Sequence, residues 1–313
     1  MTIENYLRPL MEIFWLRPET AAWRACDCLA LHEVEFTGPI ADVGCGDGLF
    51  SFTRAGGRLN SAYDMFSTVN ELEEFFDKVD IYDHFDENTT IPIVTEKPLY
   101  NIDVGVDQKL SLLKKAYSLG LYNEVRPADA NESLPLEDGR FYTIYSNIVY
   151  WLDNYRNTLR EMRRALAEDG QIILQLPNIT MRDYSFFQRL YVRTGDPSWE
   201  WLHLIDRGRS DNIRQCKTYA EWKEIFSDEG LRIVHHRNYL SKNILEAWDI
   251  GLRPISPFLI EMANVLPPEK RLDIKERWVE AMMPLVSPFC LMENSTDEIH
   301  PPGFHLFVLK KIK

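Results

Sequence analysis

Residues 39–50 read PIADVGCGDGLF. A short apolar run ends in the acid Asp42, three glycines follow at alternate positions, and the next residues can open a helix. This order predicts a β-strand, a tight turn and a helix N-terminus, where unpaired backbone N–H groups face outward. Glycine can take a positive φ and lets the backbone approach a bound molecule closely. The stretch therefore predicts an anchor for a polar ligand.

The spacing of the glycines excludes two common phosphate-binding turns. A dinucleotide-binding loop has the pattern G-x-G-x-x-G/A, and counted from Gly44 its last position falls on Leu49. No Gly-Lys-Ser/Thr follows the glycines, so a phosphate P-loop is excluded as well. The alternative, a glycine-rich turn between strand and helix that binds no ligand, stays open at this point.

The pattern D-x-G-x-G-x-G resembles the class I S-adenosylmethionine-dependent methyltransferases. The resemblance implies that the turn lies under the methionine and ribose portions of the cofactor and that Asp42 helps to hold the cofactor's ammonium group. It implies that Gly44 and Gly46 admit the cofactor, with Cys45 and Gly48 as further cofactor-binding residues. The preceding segment WLRPETAAWRA is similar to an arrangement in bacterial methyltransferases of cell-surface polysaccharide or natural-product pathways.

Length and composition limit the classes of protein that fit. The chain has 313 residues, of which 45% are hydrophobic, enough for a well-buried core. Its formal net charge of −13 argues against sequence-independent nucleic-acid binding, which depends on clustered Lys and Arg. No stretch approaches the roughly 20 apolar residues that cross a bilayer. Five scattered cysteines and no export signal favour reduced thiols in a cytoplasmic protein. Peripheral contact with a membrane and the oligomeric state stay open.

An acidic insertion interrupts the predicted α/β unit. Residues 1–35 predict N-terminal helices with a break at Pro18, and residues 59–99 separate the glycine turn from the next strand candidate. The insertion carries many acids with aromatic residues between them, as a solvated amphipathic helix would. A lid or partner-binding flap is the alternative.

The second predicted strand ends in an acid to which the family resemblance gives a ribose-binding role. The run NIDVGVD, residues 101–107, ends in Asp107. In the family that the glycine turn resembles, a carboxylate at this place accepts hydrogen bonds from both ribose hydroxyls. Asp103 is the alternative, but it lies inside the predicted strand.

The resemblance continues through the third and fourth strands. Residues 108–119 predict a helix and residues 121–127 the third strand. The following run, ADANESLPLEDGRFYTIYSN, is similar to the adenine pocket and fourth strand of the family. By that match Asp129 binds the adenine amino group, Ala130 donates its backbone N–H, and Asn147 borders the transferable methyl group. Two positions depart from the family pattern: Tyr142 replaces a frequent acid, and Trp151-Leu152 stands where many members have a histidine.

Alternating helices and strands complete the predicted fold. Residues 153–167 predict a helix, residues 171–176 a fifth strand, and a helix and sixth strand follow near residues 218–240. The chain ends in GFHLFVLKKIK, an alternating pattern that predicts a strand. We therefore predict one α/β domain over residues 1–313: a Rossmann-like, doubly wound, seven-stranded and mostly parallel sheet. The resemblance makes the last strand antiparallel.

Two segments lie outside this pattern, and we expect them to form the side of the site that binds the methyl acceptor. Residues 182–217 leave the carboxyl end of the fifth strand, where ligands bind in such sheets. Residues 242–302 have helical periodicity broken by prolines and predict a helical cap. Candidate walls of an acceptor pocket in the first segment are Tyr184, Phe187, Trp199, Trp201 and His203. Aromatic residues in such a pattern more often belong to the core than to a ligand site.

Methyl transfer needs an oriented acceptor, and a hydroxyl acceptor benefits from a general base. We take His203 as the first candidate base, with Tyr184 as a second catalytic candidate. No Asn-Pro-Pro-aromatic amine-binding signature occurs, which favours an oxygen acceptor on a small molecule, a sugar or a lipid-linked glycan. No spacing typical of a metal site is present. The competing hypotheses are a non-catalytic cofactor-binding module that recruits a partner and a nucleotide-dependent oxidoreductase.

Overall fold

The strands form one large sheet and one short ribbon within residues 3–67, 92–202, 215–294 and 300–312, which the computed structural model describes. The strands are β1 Ile40–Val43, β2 Arg58–Leu59, β3 Val94–Glu96, β4 Ile102–Asp107, β5 Tyr122–Pro127, β6 Phe141–Ser146, β7 Leu166–Pro177, β8 Leu231–Tyr239 and β9 Phe304–Lys311. The helices are α1 Glu4–Ile13, α2 Pro18–Ala30, α3 Leu49–Arg54, α4 Leu110–Ser118, α5 Tyr155–Ala165, α6 Thr180–Tyr184, α7 Phe186–Thr194, α8 Tyr219–Asp228, α9 Lys242–Ile250, α10 Ser256–Asn264 and α11 Pro268–Leu291. Short 3-10 turns are Val149–Trp151, Pro197–Trp199, Arg253–Ile255 and Met292–Asn294.

The sheet has seven strands in the order β5-β4-β1-β6-β7-β9-β8. Strands β1, β4, β5, β6 and β7 pair in parallel, whereas β9 is antiparallel to both of its neighbours. Strand β1 is central, so the turn that follows it opens at the point where the strand order reverses. The predicted Rossmann-like sheet with an antiparallel last strand is confirmed.

The fifth strand of the sheet is longer than the sequence pattern predicts. Strand β7 begins at Leu166, five residues before the predicted start, and α5 ends at Ala165. Gly170 explains the difference, because a Cβ there would lie 2.9 Å from the Phe141 carbonyl oxygen and 3.0 Å from that of Tyr142. The Asp-Gly pair, a usual turn signal, instead lets the strand pass close to β6.

The acidic insertion is closed at its base by an antiparallel ribbon of β2 and β3. Its first residues pack on α11. Arg271 forms a buried ion pair with Asp64 (2.8 Å), and the Lys275 ammonium donates to the Ser61 carbonyl (2.7 Å). Residues 68–91 lie outside the described residues, so the amphipathic helix and the lid both stay predictions.

Helices α1 and α2, within the segment predicted to be helical, pack together and against α11. Helix α2 also packs against α9 and β8. Its Asp27 is buried, and burial raises the pKa of that carboxyl to about 6 even though it accepts a hydrogen bond from the Tyr239 hydroxyl (2.9 Å). The N-terminal helices and the cap therefore form one layer over the sheet.

Two histidines meet across strands β8 and β9. The His236 Nε2 atom lies 3.0 Å from Nδ1 of His305, and His305 is also within 2.7 Å of the Asn238 Oδ1 atom. Burial, reinforced by the neighbouring His236, lowers the pKa of His305 to about 4. His305 is therefore neutral in the folded protein at pH values where it would be charged in the unfolded chain.

We predict that this histidine makes the fold sensitive to acid. Between pH 6.5 and 4 the unfolded chain binds a proton that folded His305 does not, so the free energy of unfolding falls as pH falls. The contribution lost reaches about 3 kcal/mol at the acid end of that window. Asp27, whose pKa is raised, acts in the opposite direction over part of the same range. The measurement is therefore urea unfolding of wild type and His305→Gln at several pH values, and a difference between them that is constant with pH would contradict the prediction.

Candidate cofactor and methyl-transfer site

The glycine turn after β1 has the strand–turn–helix form that the sequence predicts. The Gly44 and Cys45 N–H groups donate to the Val106 carbonyl at 2.8 and 3.0 Å, which fixes the turn against the neighbouring strand β4. Gly44, Gly46 and Gly48 have φ values of 80°, 56° and 74°, and Gly48 caps α3. These are left-handed conformations that favour glycine.

Gly44 and Gly46 face different surroundings. A Cβ on Gly44 would lie 2.2 to 2.7 Å from three side-chain carbons of Ile148, so the missing side chain of Gly44 makes room for Ile148. A Cβ on Gly46 would meet no atom within 4 Å. The turn therefore has open space at Gly46, whereas the space over Gly44 is already filled by a side chain from the loop after β6.

Asp107 connects the end of β4 to the glycine turn. Its Oδ2 atom accepts a hydrogen bond from the Gly46 N–H, and its Oδ1 atom accepts one from the Lys109 N–H, both at 3.0 Å. The side chain is half-buried. A carboxylate oxygen accepts more than one hydrogen bond, so both oxygens retain acceptor capacity beside the open space at Gly46.

Asp42 lies beneath the turn rather than on its surface. It is 2% exposed, and its Oδ2 atom accepts hydrogen bonds from the hydroxyls of Ser51 and Tyr122, both at 2.7 Å. Burial raises the pKa of Asp42, the two hydroxyls oppose this rise, and Asp107 adds to it. The two acids are thus close enough to interact. Asp42 ties α3 and β5 to the turn.

Cys45 lies among the acids of the turn. Burial raises the pKa of its thiol, and the charges of Asp42, Asp107 and Asp47 raise it further. The thiol therefore stays protonated and unreactive near neutral pH. Its surroundings also show that carboxylates from two strands and the turn converge around one residue.

A buried ion pair supports the far side of the turn. The Lys115 ammonium on α4 donates to Asp47 Oδ2 at 2.7 Å, and Asp47 Oδ1 accepts from the Leu49 N–H at 3.1 Å. Burial alone would lower the pKa of Lys115, but Asp47 and Tyr63 raise it above its ordinary value. Lys115 is therefore charged and holds the turn against α4.

The remaining predicted cofactor residues follow the next strands at the same edge of the sheet. Asp129 is exposed, and its Oδ1 atom accepts from the backbone N–H of Asn131 at 2.9 Å. The Ala130 carbonyl accepts the Thr158 hydroxyl at 2.6 Å, which fixes the loop to α5. Asn147 follows β6 and is half-buried. The edge thus brings together Asp107, Asp129, Asn147 and the glycine turn, while the binding role of each residue stays a prediction.

A family model for the methyltransferase domain matches residues 96–174. The matched segment runs from β3 to the middle of β7 and includes Asp107, Asp129 and Asn147. The matched segment is that of a methyltransferase domain. It does not include the glycine turn, and most of the acidic insertion lies between the two.

Solved structures similar to this chain include three described as methyltransferases. A possible histamine N-methyltransferase from Thermotoga maritima is 13% identical, with coverage of 98% of this chain and 100% of that one and a TM-score of 0.46. A putative sarcosine dimethylglycine methyltransferase from Galdieria sulphuraria is 12% identical (95% and 86% covered, TM-score 0.46). A Thiobacillus denitrificans methyltransferase in complex with S-adenosylhomocysteine is 12% identical (92% and 90% covered, TM-score 0.43). No curated protein sequence matches the chain.

Arg164 of α5 holds the loop that follows Asp129 in the methyltransferase domain. Its guanidinium donates to the carbonyls of Leu134 (3.0 Å) and Leu136 (2.8 Å) and to the Glu161 carboxylate (2.8 Å). Glu161 in turn accepts from the Leu134 N–H at 3.0 Å. One arginine and one glutamate thus fix the loop between the third and fourth strands of the main sheet.

We predict that Arg164→Met weakens cofactor binding without contacting the cofactor. Loss of the guanidinium removes one donor from each of the Leu134 and Leu136 carbonyls, and a hydrogen bond to a charged group contributes about 1.5–3 kcal/mol. We expect a lower Tm and an affinity for S-adenosylhomocysteine reduced about tenfold, measured by calorimetry. Arg160→Met is the matched control, since Arg160 lies on the same helix and pairs with Glu229 instead. Equal affinity in wild type and Arg164→Met would contradict this prediction.

The acceptor side is described only in part. Tyr184 is 5% exposed and its hydroxyl donates to the Pro301 carbonyl at 2.7 Å, so it ties α6 to the segment before β9. Phe187 is buried, whereas Trp199 and Trp201 are 38% and 50% exposed and stack on each other. His203 lies outside the described residues. The catalytic roles of His203 and Tyr184 stay predictions.

Neither a metal-binding cluster nor a membrane-spanning helix occurs in the part of the chain that the structure describes. Among the described residues, no three His, Cys, Asp or Glu side chains group in a way that could hold a metal ion. The same part of the chain contains no helix long and apolar enough to cross a membrane.

Several residues of the site have no signal in the sequence. Ser51 and Tyr122 reach Asp42 from positions 9 and 80 residues away, and Lys115 reaches Asp47 across 68 residues. Arg164 belongs to a run of basic residues on α5 that is typical of a solvated face. Only the buried position of Lys115 on the apolar side of α4 separates it from the neighbouring Lys114, and that distinction needs the structure.

Proposed function

We propose that the protein transfers a methyl group from S-adenosylmethionine to an oxygen atom of a small molecule, a sugar or a lipid-linked glycan. The observation that supports this most directly is the hydrogen bond from the Gly46 N–H to Asp107, next to open space at Gly46. It joins the acid of the second parallel strand to the glycine turn of the first. An acceptor-only side chain beside a glycine turn suits a ribose above a polar backbone.

The residues at this edge fit the cofactor. Both Asp107 oxygens accept one N–H each, which leaves lone pairs for two ribose hydroxyls. Asp129 is exposed and suits the adenine amino group, with Ala130 beside it. Gly46 leaves room for the cofactor's close approach. When bound, S-adenosylmethionine supplies an electrophilic methyl group on a sulfonium sulfur.

Asp42 has an indirect role in this proposal. The family resemblance implies that it helps to hold the cofactor's ammonium group, but its Oδ2 atom is engaged by Ser51 and Tyr122, and the residue is 2% exposed. We infer that Asp42 keeps the turn in place and adds negative charge beneath it. That charge favours a bound cation at short range because burial reduces screening.

The protein's contribution to methyl transfer is mainly to hold the acceptor oxygen in line with the bond that breaks. Asn147 follows β6 at the edge where the methyl group would lie and can orient an acceptor hydroxyl. The Tyr184 hydroxyl is buried and donates a hydrogen bond to the Pro301 carbonyl, so this residue suits a structural role better than that of a base. His203 remains the candidate general base for the hydroxyl proton.

The test is transfer of a radiolabelled methyl group from S-adenosylmethionine to a panel of sugars, sugar nucleotides and small hydroxyl compounds. We expect label in at least one acceptor with wild type and none above background with Asp107→Asn. Binding of S-adenosylmethionine without transfer to any acceptor would favour the non-catalytic module. Calorimetric binding of NAD in place of S-adenosylmethionine would favour the oxidoreductase.

A further inference from the structure

The N-terminal turn of α2 contains a carboxylate that lacks hydrogen-bond donors. Glu19 is 6% exposed, and within the described residues no group hydrogen-bonds to Oε1 or Oε2. The adjacent Thr20 is also 6% exposed, and its hydroxyl oxygen has no hydrogen bond either. The nearest cationic atom is Arg17 Nε, 3.9 Å from Glu19 Oε1. Buried polar groups in folded proteins are nearly always satisfied, so this cluster needs an explanation.

The surroundings of Glu19 do not compensate for its burial. Burial raises the pKa of Glu19, and the Arg17 guanidinium opposes the rise. The N–H groups of Glu19 and Leu252 and the charge of Arg253 also oppose this rise in pKa, without a hydrogen bond of normal geometry to the carboxylate. A desolvated carboxylate without donors destabilises a fold. Such a carboxylate is retained most readily where it binds a ligand.

The cluster belongs to the layer above the carboxyl edge of the sheet. Trp23 lies one turn after Glu19 on the same face of α2. Its ring contacts Phe304 (5.5 Å between centroids), which pairs with Pro177, the last residue of β7. Phe304 also contacts Tyr150 (5.9 Å), three residues after Asn147. A continuous set of side chains therefore connects Glu19 with the loop that would border the transferred methyl group.

The charges around the cluster select the class of ligand. An ammonium group would meet Glu19 but also Arg17 and the buried Arg253, whose guanidinium lies 3.9 Å from the Trp248 ring centroid. An anion would be repelled by Glu19. A hydroxyl group both donates and accepts, so it can donate to Glu19 and accept from Thr20. A neutral ligand with neighbouring hydroxyls satisfies both residues.

We propose that Glu19 and Thr20 form a subsite for the hydroxyl groups of a sugar unit in the methyl acceptor. The proposal rests on the proposed function for the position of the acceptor at this edge. The segment after α9 covers the subsite, and a Cβ on Gly251 would lie 3.2 Å from Glu19 Oε2. This glycine lets the cap close over the carboxylate, and the sugar enters when the cap segment at Gly251 moves away.

The test is saturation-transfer NMR with methyl α-D-glucopyranoside, methyl α-D-mannopyranoside and methyl α-L-rhamnopyranoside, on protein saturated with S-adenosylhomocysteine. It detects weak binding and needs no turnover, so failure of methyl transfer and failure of this subsite are distinguishable. We expect transfer to the ring protons of at least one glycoside with wild type. We expect about tenfold weaker binding with Glu19→Gln and a smaller loss with Thr20→Val. Glu261→Gln, an exposed glutamate of the cap, should leave the signal unchanged.

A second measurement separates binding from folding. Because Glu19→Gln removes a buried charge without donors, its Tm should rise by about 2 °C, and its affinity for S-adenosylhomocysteine should match that of wild type. A lower Tm would indicate that the carboxylate makes a stabilising contact, which overturns the premise. No transfer to any glycoside, or equal transfer with Glu19→Gln, would overturn the subsite. So would crystals soaked in the glycosides that contain only ordered water on Glu19.

Discussion

Asp107→Asn should lower the affinity for S-adenosylmethionine by about 100-fold, since each hydrogen bond from a ribose hydroxyl to a charged acceptor contributes about 1.5–3 kcal/mol. The amide also disturbs the turn. Both Asp107 oxygens accept backbone N–H groups, from Gly46 and Lys109. An asparagine can accept only one of them and turns an NH₂ group toward the other. Isothermal titration calorimetry measures the loss.

Asp103→Asn provides the matched control for this prediction. Asp103 lies on the same strand, and its Oδ2 atom accepts a hydrogen bond from the Ile40 N–H at 2.7 Å near the opposite end of β1. Its replacement should cost stability through the same kind of lost hydrogen bond, but the affinity should stay within about twofold of wild type. Equal losses of affinity in the two variants would mean that Asp107 acts only through the fold.

Gly44→Ala should destabilise the fold more than Gly46→Ala, although the two glycines are only two residues apart. At Gly44 the new methyl group overlaps Ile148, and φ is 80°, so we expect the free energy of unfolding to fall by about 2–4 kcal/mol. At Gly46 the methyl group meets no protein atom, and only the left-handed conformation costs about 1–2 kcal/mol. Urea unfolding of both variants measures the difference.

The affinity for the cofactor provides a second difference between the two glycine variants. Gly46→Ala should fold yet bind S-adenosylmethionine at least about tenfold more weakly, because the methyl group fills the space left for the cofactor. The double variant Gly44→Ala with Ile148→Ala should lose less stability than the sum of the single losses, because the shortened side chain removes the overlap. Wild-type affinity in Gly46→Ala would mean that the cofactor does not lie against this turn.

The sequence predicts those parts of the site that depend on local pattern. The glycine turn, Asp107 and Asp129 each stand at the end of a strand whose periodicity is clear, and parallel strands bring their carboxyl ends to one edge. The predicted seven-stranded, mostly parallel sheet is confirmed. Patterns repeated within one element are sufficient to place these residues.

The remaining contacts of the site depend on tertiary structure. Nothing near Asp42 in the sequence indicates that Tyr122 donates to it, or that Ile148 fills the space over Gly44. In the sequence, Gly170 indicates a turn. Its close approach to two carbonyls becomes visible only when β6 and β7 are paired. Contacts between side chains that are far apart in the chain produce no periodic pattern in the sequence, so these partners could not be predicted from it.

We propose that the glycine turn and Asp107 form one binding surface for the cofactor. A crystal structure of the protein with S-adenosylhomocysteine tests it most directly. We expect both ribose hydroxyls within hydrogen-bond distance of the Asp107 carboxylate, the cofactor against Gly46, and Ile148 still over Gly44. A cofactor bound elsewhere on the chain, or a ribose held by other side chains while Asp107 keeps only its bonds to Gly46 and Lys109, would contradict it.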